Sequence, residues 1–261
     1  MERLFLREKT EDKSSYIVEK QKVGITGISK GAGASFIAMS IAKVLSHYED
    51  RRVTYLEVND LVASNVSLIY DAIGFDKRFK SRKFESVYSE VISGSNIKGK
   101  TNFDDKINWA LITPEDIKNE IKVTPIDMIR LINNVSGDTI VCDIARCQHA
   151  EDYLLDMDVI VCVIDPIPSA MIAGFPFLKE IKRIEYRGKK IVWVINKFNS
   201  GINKRDMHSF LKLKDYYKIP ALEAEDFYSA EYNCKVPYEM SNIRDKMKDT
   251  IEKIITKELK T

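Results

Sequence analysis

The segment at 28–35, Ile-Ser-Lys-Gly-Ala-Gly-Ala-Ser, constrains the fold of this 261-residue chain more than any other. It follows a short apolar run at 23–27 and opens a stretch with apolar residues at helical spacing at 34–47. A strand, a glycine-containing turn and a helix in this order are typical of a phosphate-binding loop, in which backbone N–H groups surround phosphate oxygens. The segment therefore predicts an α/β fold of the nucleotide-binding type.

The loop departs from the standard pattern, G-x-x-x-x-G-K-[ST], at its lysine. Gly33 and Ser35 are in register with the second glycine and the hydroxyl residue, but Ala34 occupies the lysine position. In a complete loop the lysine reaches the β- and γ-phosphates and the hydroxyl contacts Mg²⁺. The pattern thus keeps the metal-binding hydroxyl and lacks a cation that phosphoryl transfer uses.

Apolar runs alternate with helical patterns along the rest of the chain. We predict strands at 23–27, 53–58, 107–113, 139–145, 159–165, 190–198 and 219–222, and helices at 34–47, 125–134, 169–186, 205–213 and 241–258. Continuous Val/Ile runs without alternation are typical of strands that are buried on both faces of a parallel sheet. The expected fold is a doubly wound, mainly parallel sheet with helices on both faces, formed by 22–261 and preceded by an arm or hairpin at 1–21.

A carboxylate ends the apolar run at 139–143. P-loop nucleotidases place an acidic residue at the end of a buried strand next to the loop, where it holds the Mg²⁺ shell. Asp143 and Ser35 are therefore the predicted magnesium site, and the alternative is that Asp143 caps the helix that follows.

Composition argues against several classes of protein. The net charge of +2 gives no global attraction to nucleic acid or anionic membranes. The apolar run at 159–164 is too short to span a bilayer, and the first residues lack a secretory signal, so we predict a cytoplasmic protein without a membrane span. A basic run at 77–83 indicates either a solvated loop or a weak nucleic-acid contact.

By their order and spacing along the chain, the motifs resemble those of the MinD/ParA family of deviant-Walker ATPases over nearly the whole chain. The loop is similar to the family's GKGGxGK[ST]. The other similar segments are 54–59 at the D-x-D strand, 107–114, Asp143 at the switch II aspartate, 158–166, 194–197 at V-N-[RK], and the tail from 219 to 237.

The resemblance implies a ligand and partners. ATP or ADP with Mg²⁺ would bind, with adenine contacted by Asn196, although Asn196 could instead satisfy backbone groups in a strand-end turn. The implied phosphate-binding residues are Ser29, Lys30, Gly31, Ala32, Gly33, Ala34 and Ser35. The family also implies homodimerisation through the nucleotide face and a protein partner from a positioning or assembly system.

Several catalytic positions of the family are changed in this chain. The family's signature lysine falls on Ser29, its P-loop lysine on Ala34 and the second acid of D-x-D on Asn59, and 144–147 lacks the switch II glycine. Because phosphoryl transfer depends on charge stabilisation and positioning, these losses predict weak ATP/ADP binding with little hydrolysis and a positioning or docking role.

Two alternatives stay open. In the first, the chain is a competent ATPase in which Lys30 acts as a displaced P-loop lysine, with Arg146 as a further anion contact. In the second, it is a scaffold that binds no nucleotide. The sequence leaves open whether the protein is an enzyme.

Overall fold

The computed structural model describes residues 20–48, 51–59, 69–70, 84–94, 102–104 and 106–259. The described strands are β1 (Gln21–Gly27), β2 (Val53–Val58), β3 (Phe103–Asp104), β4 (Ile107–Ala110), β5 (Thr139–Ile144), β6 (Val159–Ile164), β7 (Lys190–Phe198) and β8 (Tyr217–Pro220). The described α-helices are α1 (Ala34–Leu45), α2 (Val87–Ile92), α3 (Pro114–Lys118), α4 (Pro125–Asn134), α5 (Ala150–Leu155), α6 (Pro168–Tyr186), α7 (Lys204–Leu211), α8 (Ala224–Tyr232) and α9 (Ser241–Glu258).

The strands form one sheet in the order β3-β4-β2-β5-β1-β6-β7-β8. Seven strands are parallel, and the two-residue β3 pairs antiparallel with β4 at one edge. This arrangement confirms the predicted doubly wound, mainly parallel sheet. Because β1 lies between β5 and β6, the loop that follows it is at the carboxyl edge of the central strands, where ligands bind in such sheets.

Helices cover both faces of the sheet. On one face α1 and α9 pack their apolar sides against β1 and its neighbours, and Ile41 and Ile251 are fully buried there. On the other face α4, α5, α6 and α7 cover the alternate side chains of the same strands. Burial of the Val/Ile strand residues on both faces removes apolar surface from water, which is the main stabilising contribution to such a core.

Some predicted boundaries differ from the structure. The strand predicted at 107–113 ends at Ala110, because Thr113 and Asp116 form a capping box that starts α3. The short helices α2, α3, α5 and α8 were not predicted, since a helix of one or two turns shows too few residues for a periodic pattern.

Other predictions fall partly or wholly outside the described residues. The basic run at 77–83 lies outside them, and of the arm at 1–21 only Lys20 and Gln21 are described. The Lys20 ammonium donates to the carbonyl oxygens of Asn133 and Val135 at 3.0 and 2.6 Å. Among the described helices, none is long and apolar enough to cross a membrane. The domain assignment and the cytoplasmic location stay predictions.

Candidate functional site

The glycine-containing loop joins β1 to α1 at the carboxyl edge of the sheet. Gly31 and Gly33 have φ values of 76° and 91°, in the left-handed region that glycine adopts at little cost. Gly33 is also the N-cap of α1, and no side chain caps this helix. In the part of the chain that the structure describes, the first N–H groups of α1 thus have no intrahelical acceptor and no N-cap side chain to bind, which is the arrangement that binds anions.

The outer side of the loop is tied to β7. The Asn196 amide nitrogen donates to the Ala32 carbonyl oxygen at 2.9 Å, and the Lys197 ammonium donates to the Gly31 carbonyl oxygen at 2.8 Å. The same ammonium pairs with a carboxylate oxygen of Asp165, just after β6, at 2.6 Å. We call Asn196, Lys197 and Asp165 the loop clamp. It holds two consecutive loop carbonyls and leaves the N–H side to a ligand.

The beginning of the loop is fixed by β6 and by α6. The Ile28 N–H donates to the Val163 carbonyl oxygen at 3.0 Å. Gly174 of α6 packs so closely that a Cβ atom there would lie 2.6 Å from the Ile28 carbonyl oxygen. A side chain at this position would therefore move either the helix or the loop.

Ser29 contributes a buried hydroxyl at the loop. Its exposed fraction is 7%, and its Oγ atom has no hydrogen-bond partner among the described residues. A buried polar group without a partner typically costs about 1–3 kcal/mol. A ligand oxygen or a water molecule next to Ser29 would remove that cost.

The predicted metal-binding residues lie together. β1 and β5 pair in parallel, with Ile25 opposite Asp143, so the end of β5 is next to the loop. The exposed Ser35 in the first turn of α1 is a hydrogen-bond partner of the Asp143 carboxyl. The Tyr55 hydroxyl of β2 donates to Oδ2 of the same carboxyl at 2.9 Å.

Burial dominates the electrostatics of this corner. It raises the pKa of the Asp143 carboxyl, and hydrogen bonds from Ser35 and Tyr55 offset part of that rise. Burial and the charge of Asp143 also raise the pKa of the Tyr55 hydroxyl well above its usual value. In the described part of the chain, no cation is among the main causes of these shifts, and a bound cation would stabilise the ionised carboxylate.

The donor set fits Mg²⁺ with a phosphate ligand. One hydroxyl and one carboxylate are hard oxygen donors, and Mg²⁺ commonly takes one or two protein carboxylates, waters and substrate phosphates. In the described part of the chain, no group of three or more His, Cys, Asp or Glu residues could hold a metal ion. Ser35 and Asp143 would thus hold Mg²⁺ together with a bound nucleotide.

The candidate cations are at the surface. Lys30 is exposed at the tip of the loop. Arg146 is also exposed, and its guanidinium lies 5.6 Å from the ring centroid of Phe177 on α6. The first acid of the D-x-D-like strand, Glu57, accepts a hydrogen bond from the Ile112 N–H at 2.7 Å, so it supports the β4–α3 connection.

Sequence reasoning singled out Asn196 of the loop clamp, with backbone contacts as one alternative, and missed Lys197, Asp165 and Tyr55. Lys197 carried a signal, because it follows Asn196 in the V-N-[RK]-like segment, but nothing local indicates that it contacts Gly31. Tyr55 reads as one more apolar residue of β2. Its contact with Asp143 depends on the pairing of β2 with β5.

Several solved structures share the fold of this chain. A putative plasmid partition protein from Borrelia burgdorferi, bound to AMPPNP, superposes with a TM-score of 0.66 and 19% identity, covering 92% of this chain and 99% of that one. MinD of Pyrococcus horikoshii, complexed with Mg-ADP, superposes with a TM-score of 0.65 and 11% identity, covering 90% of this chain and 96% of that one. A chain of the MinC:MinD cell division protein complex from Aquifex aeolicus superposes with a TM-score of 0.64 and 13% identity, covering 92% of this chain and 98% of that one.

These comparisons show that the chain has the fold of the ParA and MinD ATPases across nearly its whole length, as predicted. No protein-family model matches the sequence, and no curated protein matches it.

Proposed function

We propose that this chain is a degenerate MinD/ParA-like P-loop protein that binds ATP or ADP weakly, hydrolyses it slowly, and acts as a positioning or docking module. The observation that carries the proposal is the open N–H side of the clamped loop beside the Ser35–Asp143 pair. The orphan Ser29 hydroxyl adds support, as do relatives of the same fold that bind AMPPNP and Mg-ADP.

Each part of the site has a proposed role. The phosphates would lie against the backbone of residues 29–35, with Mg²⁺ on Ser35 and Asp143. When bound, Mg²⁺ supplies positive charge to phosphate oxygens. Asn196 is the proposed adenine contact, through its amide oxygen, because its amide nitrogen is bound to Ala32.

Slow hydrolysis follows from the side chains at three positions. Ser29 and Ala34 carry no charge, and Asn59 is a neutral amide where an acid would orient water. Loss of a single charge-stabilising donor typically reduces the rate about 10²–10³-fold. Two absent cations and one absent acid therefore predict a chemical step far slower than that of a complete site.

The docking role has support from α6. Its first turns and the residue before them expose apolar side chains, with exposed fractions of 54% for Ile167, 65% for Ile172 and 37% for Phe175. Neighbouring exposed apolar residues are typical of protein-binding surfaces. The same helix touches the loop at Gly174, so a partner or second copy bound here would lie beside the nucleotide site.

Calorimetry with ADP and ATP, each with and without Mg²⁺, tests the proposal. We expect binding to the native chain, and binding to the Ser35→Ala and Asp143→Ala variants that Mg²⁺ no longer strengthens. Ser241→Ala is the matched control, because Ser241 is also an exposed serine in the first turn of a helix. The absence of any binding at millimolar nucleotide would favour the nucleotide-free scaffold instead.

A competent ATPase is the second candidate, and the exposed position of Lys30 on the loop favours it. Single-turnover hydrolysis by the native chain and by Lys30→Ala separates the two candidates. Loss of measurable turnover in this variant, but not in Lys214→Ala, would establish Lys30 as a displaced catalytic lysine. Lys214 is suitable as a control because it is exposed and precedes β8, at the amino edge of the parallel sheet, whereas the loop lies at the carboxyl edge.

Weak nucleic-acid binding is a further proposed property, and a shallow basic groove formed by the second half of α6 and by Arg187 after it favours it. The groove is lined by Lys179, Lys182, Arg183, Tyr186 and Arg187, and Tyr186 is 94% exposed. Clustered cations beside an exposed aromatic ring fit a phosphate backbone with bases that can stack.

Fluorescence anisotropy with labelled DNA at two salt concentrations tests this groove. We expect salt-sensitive binding that the double variant Lys179→Glu/Arg183→Glu weakens at least tenfold. The double variant Lys246→Glu/Lys253→Glu, on exposed positions of α9, makes the same change in charge elsewhere. Equal losses in both double variants would show only a response to net charge.

A further inference from the structure

The Asp143 carboxyl, which is paired with Ser35 at the predicted magnesium site, accepts a hydrogen bond that the sequence pattern does not explain. Tyr55 is fully buried in β2, and its ring packs against Trp109 with 5.3 Å between centroids. In the sheet register Glu57, not Tyr55, is opposite Asp143. The tyrosine ring therefore reaches two residues along the strand to place its hydroxyl 2.9 Å from Asp143 Oδ2.

This contact occupies the carboxylate on which Mg²⁺ would depend. Asp143 has two donors, the Ser35 hydroxyl and the Tyr55 hydroxyl. A magnesium-bound water donates to second-sphere acceptors, and each donor already on Asp143 takes one of the roughly four lone-pair sites of its carboxylate. A neutral phenol that donates to the carboxylate also withdraws part of the charge that would attract the cation.

We propose that Tyr55 sets the magnesium dependence of this site: its hydroxyl competes with metal-bound water for Asp143, so that nucleotide binds almost as well without Mg²⁺ as with it. This inference rests on the proposed nucleotide binding. In this role Tyr55 acts on the metal through Asp143.

A purely positioning role for Tyr55 makes the opposite prediction. If the phenol only orients Asp143 for metal binding, its removal weakens the magnesium dependence. If the phenol competes with the metal, its removal strengthens that dependence. The direction of the change therefore distinguishes the two roles.

The test is calorimetric titration of ADP in EDTA and in excess Mg²⁺. For the native chain we expect the two dissociation constants to agree within about threefold. For Tyr55→Phe we expect Mg²⁺ to tighten ADP binding about tenfold more than in the native chain, which is the size of one hydrogen bond to a charged group.

Tyr88→Phe is the matched control. Tyr88 is also a fully buried tyrosine, and its hydroxyl donates to the backbone carbonyl of Glu57 instead of to Asp143. Its removal should leave the ratio of the two ADP dissociation constants unchanged. Circular dichroism and thermal melting of both variants establish that they are folded.

Each outcome decides the inference. If Mg²⁺ tightens ADP binding to Tyr55→Phe no more than it does for the native chain, the inference is overturned while the proposed function stands. The inference is also overturned if Mg²⁺ tightens ADP binding to the native chain more than a hundredfold. If no form of the chain binds ADP, the proposed function fails, and this inference fails with it.

Discussion

Replacement of Gly33 by alanine probes how tightly the loop is held. Two costs add at this position. The backbone has φ 91°, and an L-residue in the left-handed region costs roughly 1–2 kcal/mol. In addition, a Cβ atom would lie 2.3 Å from the Asn196 amide nitrogen, and overpacking of this kind typically costs about 1–3 kcal/mol. We therefore expect Gly33→Ala to lower the free energy of unfolding by about 2–5 kcal/mol.

Gly31→Ala is the matched control in the same loop. Its φ of 76° imposes a similar backbone cost, but nothing lies within 4 Å of the Cβ position. We expect a loss of about 1–2 kcal/mol there. The difference between the two variants isolates the contact of Gly33 with Asn196.

A double-mutant cycle makes the argument quantitative. Asn196→Ala alone should cost about 1 kcal/mol, since it removes the hydrogen bond to the Ala32 carbonyl. In the Gly33→Ala background the same change also removes the steric conflict. The double variant should therefore be more stable than additivity predicts, by about 1–3 kcal/mol.

Urea unfolding followed by tryptophan fluorescence measures these free energies, and ADP titration measures the effect on the loop. We expect ADP binding to weaken more in Gly33→Ala than in Gly31→Ala. The reasoning would be refuted by equal losses of stability in the two variants together with a coupling energy near zero. That result would mean that Asn196 does not occupy the space beside Gly33.

Two further predictions concern buried charges. Lys43 is 1% exposed, and its ammonium pairs with the Glu239 carboxylate at 2.7 Å. Glu239→Gln should therefore lower the free energy of urea unfolding by about 2 kcal/mol. This loss is smaller than the roughly 3–5 kcal/mol typical of fully buried pairs, because Glu239 reaches solvent. The exposed pair of Lys248 and Glu252 is the control, and Glu252→Gln should cost about 0.5 kcal/mol or less. Because burial raises the pKa of Asp143 above its unfolded value, the folded state binds more protons between those two pKa values, and stability falls as the pH rises through that window. In urea unfolding, Asp143→Asn should therefore be more stable than the native chain at pH 7 and should lose this advantage near pH 4. An advantage that is the same at both pH values would contradict a raised pKa of Asp143.

Local patterns in the sequence account for most of the fold and for part of the site. The Val/Ile runs and the helical spacing of apolar residues predict β2, β7, α4 and α9 with the observed bounds. The loop pattern and the carboxylate at the end of the fourth predicted apolar run indicate Ser35 and Asp143, because parallel strands bring their carboxyl ends to one edge of a sheet. These features depend on residues that are close in the chain, so the sequence carries them directly.

The contacts that shape the site depend on residues far apart in the chain. Lys197 lies 166 residues from Gly31, with which it forms a hydrogen bond, and Tyr55 lies 88 residues from Asp143. Strand order, register and the length of each side chain together determine whether such pairs meet, and no local pattern encodes that combination. The amino-acid pattern thus determined a nucleotide-type loop with a hydroxyl and a carboxylate beside it. Packing of the sheet decided that β7 clamps the loop and that a buried phenol binds the carboxylate, because those contacts exist only where distant strands pair.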